Sequence, residues 1–192
     1  MTTARSRTRD IARDAVREEL AQVALGLFQD EGFDRVTLDD LAAAAGVSRS
    51  TFLRYFGTKE DVVLGAFDPL GDLMTDALRA RPAGESTLTA LRRALDPVAV
   101  HFSARPAERL ALLRLVQDTP ALCARLREKH VGWHPRLLAV LTERSPGTST
   151  LVCRVRVAAA LDCLTVALEH WVSAECVTPL ADLLDEGFGA FA

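Results

Sequence analysis

Between Ser48 and Lys59 the chain reads SRSTFLRYFGTK, and its only charges there are Arg49, Arg54 and Lys59, with no acid among them. Arginine carries a planar fork that matches the edge of guanine in the DNA major groove, a contact worth about 1–3 kcal/mol of discrimination. Arg49 and Ser50, at the start of this run, are the candidates to read bases, with Arg54 and Tyr55 behind them. The total charge of −3 argues against a nonspecific coating of nucleic acid, but a local basic face can survive an acidic total. The first seventeen residues are basic as well, with Arg5, Arg7, Arg9, Arg13 and Arg17 against Asp10 and Asp14.

Such side chains need a rigid support, and the flanking residues describe one. Thr37 can cap a short helix, with Asp40 three residues on as the carboxylate of a capping box. Leu38, Leu41, Ala42 and Ala45 place an apolar stripe on that helix. Gly46 stops it, because a residue without Cβ takes the left-handed conformation freely. Val47 plugs the corner, Ser48 caps a second helix that buries Phe52 and Phe56, Gly57 ends it, and Thr58 caps the next. Two short helices around a tight turn form a helix-turn-helix, whose second helix enters the major groove. Capping alone is the plainer role of Ser48, Thr51 and Thr58, and it does not exclude a phosphate contact.

Gly32-Phe33, Val36-Thr37-Leu38, Leu41-Ala42, Ala45-Gly46-Val47-Ser48, Thr51-Phe52, Tyr55-Phe56 and Lys59-Glu60 together closely resemble the tetracycline-repressor (TetR) family of bacterial regulators. The resemblance covers about the first third of the chain. It implies that the positions of Thr37, Ser48, Arg49, Ser50, Thr51, Leu53, Arg54, Tyr55 and Lys59 touch DNA, with Thr37, Thr51, Tyr55 and Lys59 on phosphates. Leu53 departs from the family pattern, which usually has an aromatic residue there, often tyrosine; an apolar contact with a thymine methyl would replace it.

The chain has 192 residues with 49% hydrophobic content, enough for a sizeable core in one or two domains. Few aromatics and many Ala, Leu and Arg residues favour helices. No apolar run is long enough to span a bilayer and no cleavable apolar segment opens the chain, so a soluble, cytoplasmic protein is expected. Cys123, Cys153, Cys163 and Cys176 form no C-x-x-C pair and lack histidines at finger spacing; they read as buried free thiols rather than a metal site.

The expected fold is all-α, with about nine helices in a helix-turn-helix domain over 1–60 and a helical domain over 61–192. Residues 1 to 8 read as a flexible basic arm, either a disordered end or a DNA contact. A first helix from about Arg9 to Glu31 carries Val16, Leu20, Val23, Leu27 and Phe28 as its stripe. A fourth over about 59–79 contains Pro69, which suggests a kink or an early end with a turn at Gly71. The stretch 81–86 is the clearest linker. Helices then follow over about 87–103, with Pro97 bending the chain, from Pro106, and from Pro120, with a break or kink near His134 ahead of Pro135. A long helix over 148–174 and a last one after Pro179 close the chain.

The penultimate helix is apolar around most of its circumference, with Ala158, Ala159 and Ala160 allowing close approach. A core explains this in part, and a four-helix homodimer interface formed with the last helix explains it better. The resemblance implies the same homodimer, a double-stranded DNA operator as partner, and a pocket for a small apolar effector in the middle helices. His101, Phe102, Gln117, Trp133, Asp162 and His170 are the candidate ligand contacts, although each also fits as a satisfied core or surface residue. DTPALCARLREK resembles the effector domain of actinobacterial TetR relatives near the mycofactocin-associated regulator, some of which respond to acyl-coenzyme A. Asp162, Glu169 and His170 could be drawn as acid–base groups, but there is no nucleophile motif, glycine-rich phosphate loop or metal spacing. The reading is therefore a ligand-responsive transcriptional repressor that binds a palindromic operator as a homodimer and is released by a small apolar effector, without enzymatic activity or a resident cofactor. The alternatives are a ligand-independent DNA-binding protein or an enzyme using the C-terminal pocket.

Overall fold

The computed structural model describes the backbone of residues 2–191 and the side chains of residues 11–191. All the described regular structure is helical, and it forms two compact units, residues 1–66 and 67–192. The sequence pattern places the division near residue 60.

The first unit holds α1 (Thr2–Glu31), α2 (Leu38–Ala44), α3 (Arg49–Tyr55) and α4 (Lys59–Leu64). The helix starts at Thr2, so the expected flexible arm is helical backbone; no glycine or proline interrupts it before Gly26, and alanine and arginine favour the helix. The side chains of Arg5, Arg7 and Arg9 lie outside the described residues. The buried stripe of α1 is Leu20, Ala24 and Phe28, whereas Val16 and Val23 are exposed. Only one line of the helix, in its second half, finds α2 and α4 to pack on. Gly32, at φ +88°, ends α1 and folds Phe33 back on Phe28, ring centroids 4.9 Å apart.

The second unit follows a 3-10 turn, Gly65–Phe67, and holds α5 (Leu70–Ala80), α6 (Thr87–Ala94), α7 (Asp96–Ser103), α8 (Pro106–Asp118), α9 (Pro120–Arg144), α10 (Thr150–Ser173) and α11 (Leu180–Gly189). Two stretches with an inner proline are each two helices. Pro69 separates α4 from α5, and the chain turns at Leu95 so that Pro97 sits in the first turn of α7, where its missing N–H costs nothing. Gly71 does not form the expected turn. It lies in α5 beneath Trp133 of α9, where a Cβ would come 2.5 Å from the indole Cδ1. The expected break at His134 is absent, and α9 runs unbroken through Pro135. Proline leaves the carbonyl four residues back without its donor. Val131, which carries that carbonyl, is 69% exposed, so water can serve it.

α10 packs between α9 and α11, and α5 lies against α6, α7 and α9. Gly187 lets α11 approach α10 closely, because a Cβ there would meet the Cys163 Sγ at 2.5 Å. Arg92 fastens the other side of α11. It is buried, donates to Asp185 and Asp96 at 2.7 Å each, and donates to the Ala181 carbonyl at 2.8 Å.

Candidate nucleic-acid interface

α2 and α3 are built by their ends. Thr37 and Asp40 form the capping box: the Asp40 carboxylate accepts from the Thr37 N–H at 2.9 Å and its hydroxyl at 2.6 Å, and the threonine oxygen accepts from the Asp40 N–H at 3.3 Å. The hydroxyl and the backbone N–H together hold the Asp40 carboxyl below the usual carboxylate range. At the other end, Gly46 stands at φ +67°; Val47 donates to the Ala42 carbonyl and Gly46 to that of Ala43. That is the paired-bond stop of a Schellman turn. Ser48 then caps α3, its oxygen accepting from the Thr51 N–H at 3.1 Å while its hydroxyl donates to Thr51 Oγ1 at 2.9 Å and lies 3.0 Å from Ser50 Oγ.

α3 buries Phe52, and Phe56 just beyond it, with ring centroids 5.2 Å apart. Burying those two rings fixes the helix's rotation. Arg49, Ser50, Leu53 and Arg54 are left together on the exposed face, with Thr51 and Tyr55 half-buried beside it. Leu53 is an exposed apolar side chain on that face, which suits a thymine methyl. The Arg54 guanidinium lies 5.6 Å from the Tyr55 ring centroid. Arg49 reaches Asp39 in the first turn of α2 at 3.4 Å, but both side chains are largely exposed. A surface pair of this kind is worth well under about 1 kcal/mol, so the guanidinium is available to a base.

Lys59 differs from the other expected contacts. Its ammonium donates to the carbonyls of Phe33 at 2.8 Å and Val36 at 3.4 Å, and lies 4.4 Å from the Phe33 ring centroid. Two of its three N–H bonds therefore hold the loop between α1 and α2, leaving one for a phosphate. Sequence reasoning missed this role, as it missed Arg17 stacked 5.4 Å over Phe56 and Asp39 beside Arg49. None of these pairs has a spacing that a sequence pattern would flag.

The six candidate ligand residues of the second unit do not converge. Phe102 is interior, 6.2 Å from the rings of both Phe67 and Trp171, with His101 edge-on at 5.5 Å. Trp133 is buried over Gly71, and Gln117 is exposed on α8. Asp162 and His170 are exposed and line an apolar groove of about 470 Å³ between α10 and α11. The residue that sequence reasoning overlooked is His130 on α9. Its ring lies 4.6 Å from that of Trp133, and Nδ1 is 3.4 Å from the Thr165 hydroxyl. Burial, with the neighbouring His134 charge, pushes its pKa down to about 4 against a small opposing pull from Asp162. All four cysteines are free thiols, Cys153 and Cys163 buried and Cys123 and Cys176 half-buried. Among the described residues there is no cluster of three or more His, Cys, Asp or Glu side chains arranged to hold a metal, and no helix is long and apolar enough to cross a membrane.

A capped short helix presenting two arginines from a glycine-stopped turn defines a helix-turn-helix DNA-binding protein. Residues 20–66 match the family described as bacterial regulatory proteins of the tetR family, and residues 85–192 match the MftR C-terminal domain. The chain belongs to the TetR family of transcriptional regulators, and its second unit is of the MftR type. It is 29% identical over 186 residues to MftR of Mycobacterium tuberculosis, named for the regulation of mycofactocin biosynthesis, covering 93% of this chain and 88% of MftR. It is 31% identical over 134 residues to the transcriptional regulator TcmR of Streptomyces glaucescens, a match spanning 67% of this chain and 59% of TcmR. Among solved structures, native NalD of Pseudomonas aeruginosa, a repressor of a multidrug efflux pump, shares the fold with a TM-score of 0.62 at 18% identity, over 92% of this chain and 96% of that one. FadR of Thermus thermophilus, a TetR-family repressor solved with lauroyl-CoA, gives 0.52 at 22% identity, over 89% and 90%. The curated relatives are named as transcriptional regulators, and the family is not one of enzymes.

Proposed function

We propose that this protein is a homodimeric repressor that reads a palindromic operator and leaves it when a small apolar effector binds the second unit. The observation that carries the reading is the exposed face of α3, where Arg49, Ser50, Leu53 and Arg54 stand opposite the buried Phe52 and Phe56. One such helix spans only a few base pairs. Specific affinity then requires two copies, one helical turn apart on the duplex. Arg49 and Ser50 read base edges, Leu53 meets a thymine methyl, and Arg54 supports them. Thr37, Ser48, Thr51, Tyr55 and the remaining donor of Lys59 hold phosphates.

The groove between α10 and α11 supports dimerisation through these helices, since its walls are mostly apolar and Val166 and Phe191 are 63% and 50% exposed. Acyl-coenzyme A is the effector class we favour, supported by the likeness of the second unit to MftR and by the lauroyl-CoA held by the distantly similar FadR. An effector can release DNA only by the difference of its affinity for the two states, and DNA must weaken effector binding by the same factor.

Selection of bound sequences from random duplexes tests the reading. An inverted repeat should be enriched, and lauroyl-CoA should lower affinity for it. Folded protein that enriches no sequence would overturn the operator; affinity untouched by acyl-coenzymes of any chain length would overturn the effector class.

A further inference from the structure

Along α10 one face stays outside the core: Leu151, Val155, Asp162, Val166 and His170 recur at helical spacing and all are exposed. Val166 lines the groove beside α11, and the two polar residues that α10 contributes to the groove are Asp162 and His170, each four positions from Val166. Neither side chain makes a hydrogen bond or ion pair among the described residues. A helix that meets its own copy across a perpendicular two-fold axis runs antiparallel to it, so residue i faces j and j faces i. An acid and a base placed evenly about an apolar residue are therefore self-complementary.

We propose that a second copy seats in this groove with the two-fold axis beside Val166, so that Asp162 pairs with His170 of the partner subunit, twice per dimer; the inference rests on the dimer proposed above. The register also sets Ala159 opposite Ser173, two small residues that let the helices close. An axis beside Asp162 would oppose two carboxylates, and one beside His170 would oppose two imidazoles. An axis beside Ala159 would pair Asp162 with Arg156, which does not line the groove. Glu186 rims the groove from α11 as the competing acid.

The test uses the full chain and sedimentation equilibrium, with circular dichroism showing that each variant is folded. His170→Asp sets carboxylate against carboxylate, and Asp162→Arg sets guanidinium against imidazole. Each should weaken self-association by about tenfold or more. Mixed in equal amounts, the two variants should recover association close to that of the unaltered protein, because in the heterodimer each pair again sets a carboxylate against a nitrogen base. A mixture no tighter than its components overturns the register, as does rescue of Asp162→Arg by Arg156→Asp. Loss of association in Glu186→Gln but not in Asp162→Asn would overturn the pairing. Val166→Glu separates the two levels. If it leaves the dimer intact, the groove is not the interface and both readings fail; if it gives monomers while the mixture shows no rescue, the dimer stands and only the register fails.

Discussion

In the first unit the working face is polar and belongs to a helix of seven residues, α3, oriented by two buried phenylalanines and capped by its own serine. In the second unit the exposed face of α10 is largely apolar and belongs to a helix of 24 residues. A short helix has little burial of its own and is specified by local chemistry: caps, glycine stops and one or two large side chains. A long helix is specified by what lies on each side of it. Defects should therefore act differently, locally in the first unit and through helix-to-helix contacts in the second.

The largest effects should come from the single residue that holds each region in place. Phe52→Ala empties a fully buried ring position and should cost about 3–5 kcal/mol, abolishing DNA binding while self-association persists. Arg92→Ala removes the buried guanidinium that ties Asp185 and the Ala181 carbonyl to α6. Asp185 and Asp96 reach solvent and Asp96 keeps Arg93 at 3.8 Å, so the loss should be about 1.5–3 kcal/mol, loosening α11 and with it dimerisation. Chemical denaturation followed by DNA binding and sedimentation checks both. If Arg92→Ala spares the dimer, α11 is held by apolar contacts such as that at Gly187, and the arginine is incidental.

Acid should separate the units next. His130 ionises near 6.5 in the unfolded chain and at about 4 in the folded one, so the folded state binds the proton less readily. Its contribution is fully present above about pH 6.5 and is lost as the pH falls towards 4. The shift corresponds to a loss on the order of 3 kcal/mol. Tryptophan fluorescence reports it, since both tryptophans, Trp133 and Trp171, lie in the second unit. His130→Phe should flatten the dependence in that window; an unchanged acid transition would show that other groups govern it.

The same contrast explains what was legible beforehand. Thr37, Asp40, Gly46, Ser48, Phe52 and Phe56 could all be placed from the sequence because each acts within a few residues of itself. Prolines 106, 120 and 179 mark helix starts for the same reason. Pro135 does not break α9, because its cost depends on whether the orphaned carbonyl can reach water, a tertiary fact. Gly71 misled because a glycine admitting Trp133 looks no different in sequence from one that turns the chain. Arg92, with Asp185 distant in the chain, and His130 against Thr165 were invisible for want of any local spacing. The six ligand candidates are polar or aromatic residues on apolar stripes, a pattern that is the same on an interior face and on a groove lining such as that of Asp162 and His170.

Within the first unit, Arg49 and Lys59 sharpen the division between reading and holding. Arg49→Ala should cost about 1–3 kcal/mol at one base position and relax preference there, with little change in melting temperature because its side chain is 60% exposed. Lys59→Ala should weaken all sequences alike and reduce the salt slope by about one unit. It should also lower the melting temperature, since the Phe33 and Val36 carbonyls lose their donor. Equal loss of preference in both variants would mean that base and phosphate contacts have been wrongly sorted.

The smallest effect should be at Thr37, where capping and phosphate binding coincide. Thr37→Ala removes the oxygen that accepts from the Asp40 N–H and should cost about 1 kcal/mol of stability. Thr37→Ser keeps that oxygen and its hydroxyl, so it should restore both the cap and DNA affinity. Asp40→Asn separates the two roles. It removes the carboxylate that the Thr37 hydroxyl and N–H engage but leaves the hydroxyl itself. If the hydroxyl serves only the cap, Thr37→Ala and Asp40→Asn should weaken DNA binding in proportion to the stability each loses. If it also holds a phosphate, Thr37→Ala should lie below that line. Asp40→Asn should lie on it or above it, because removing a negative charge beside the duplex favours binding.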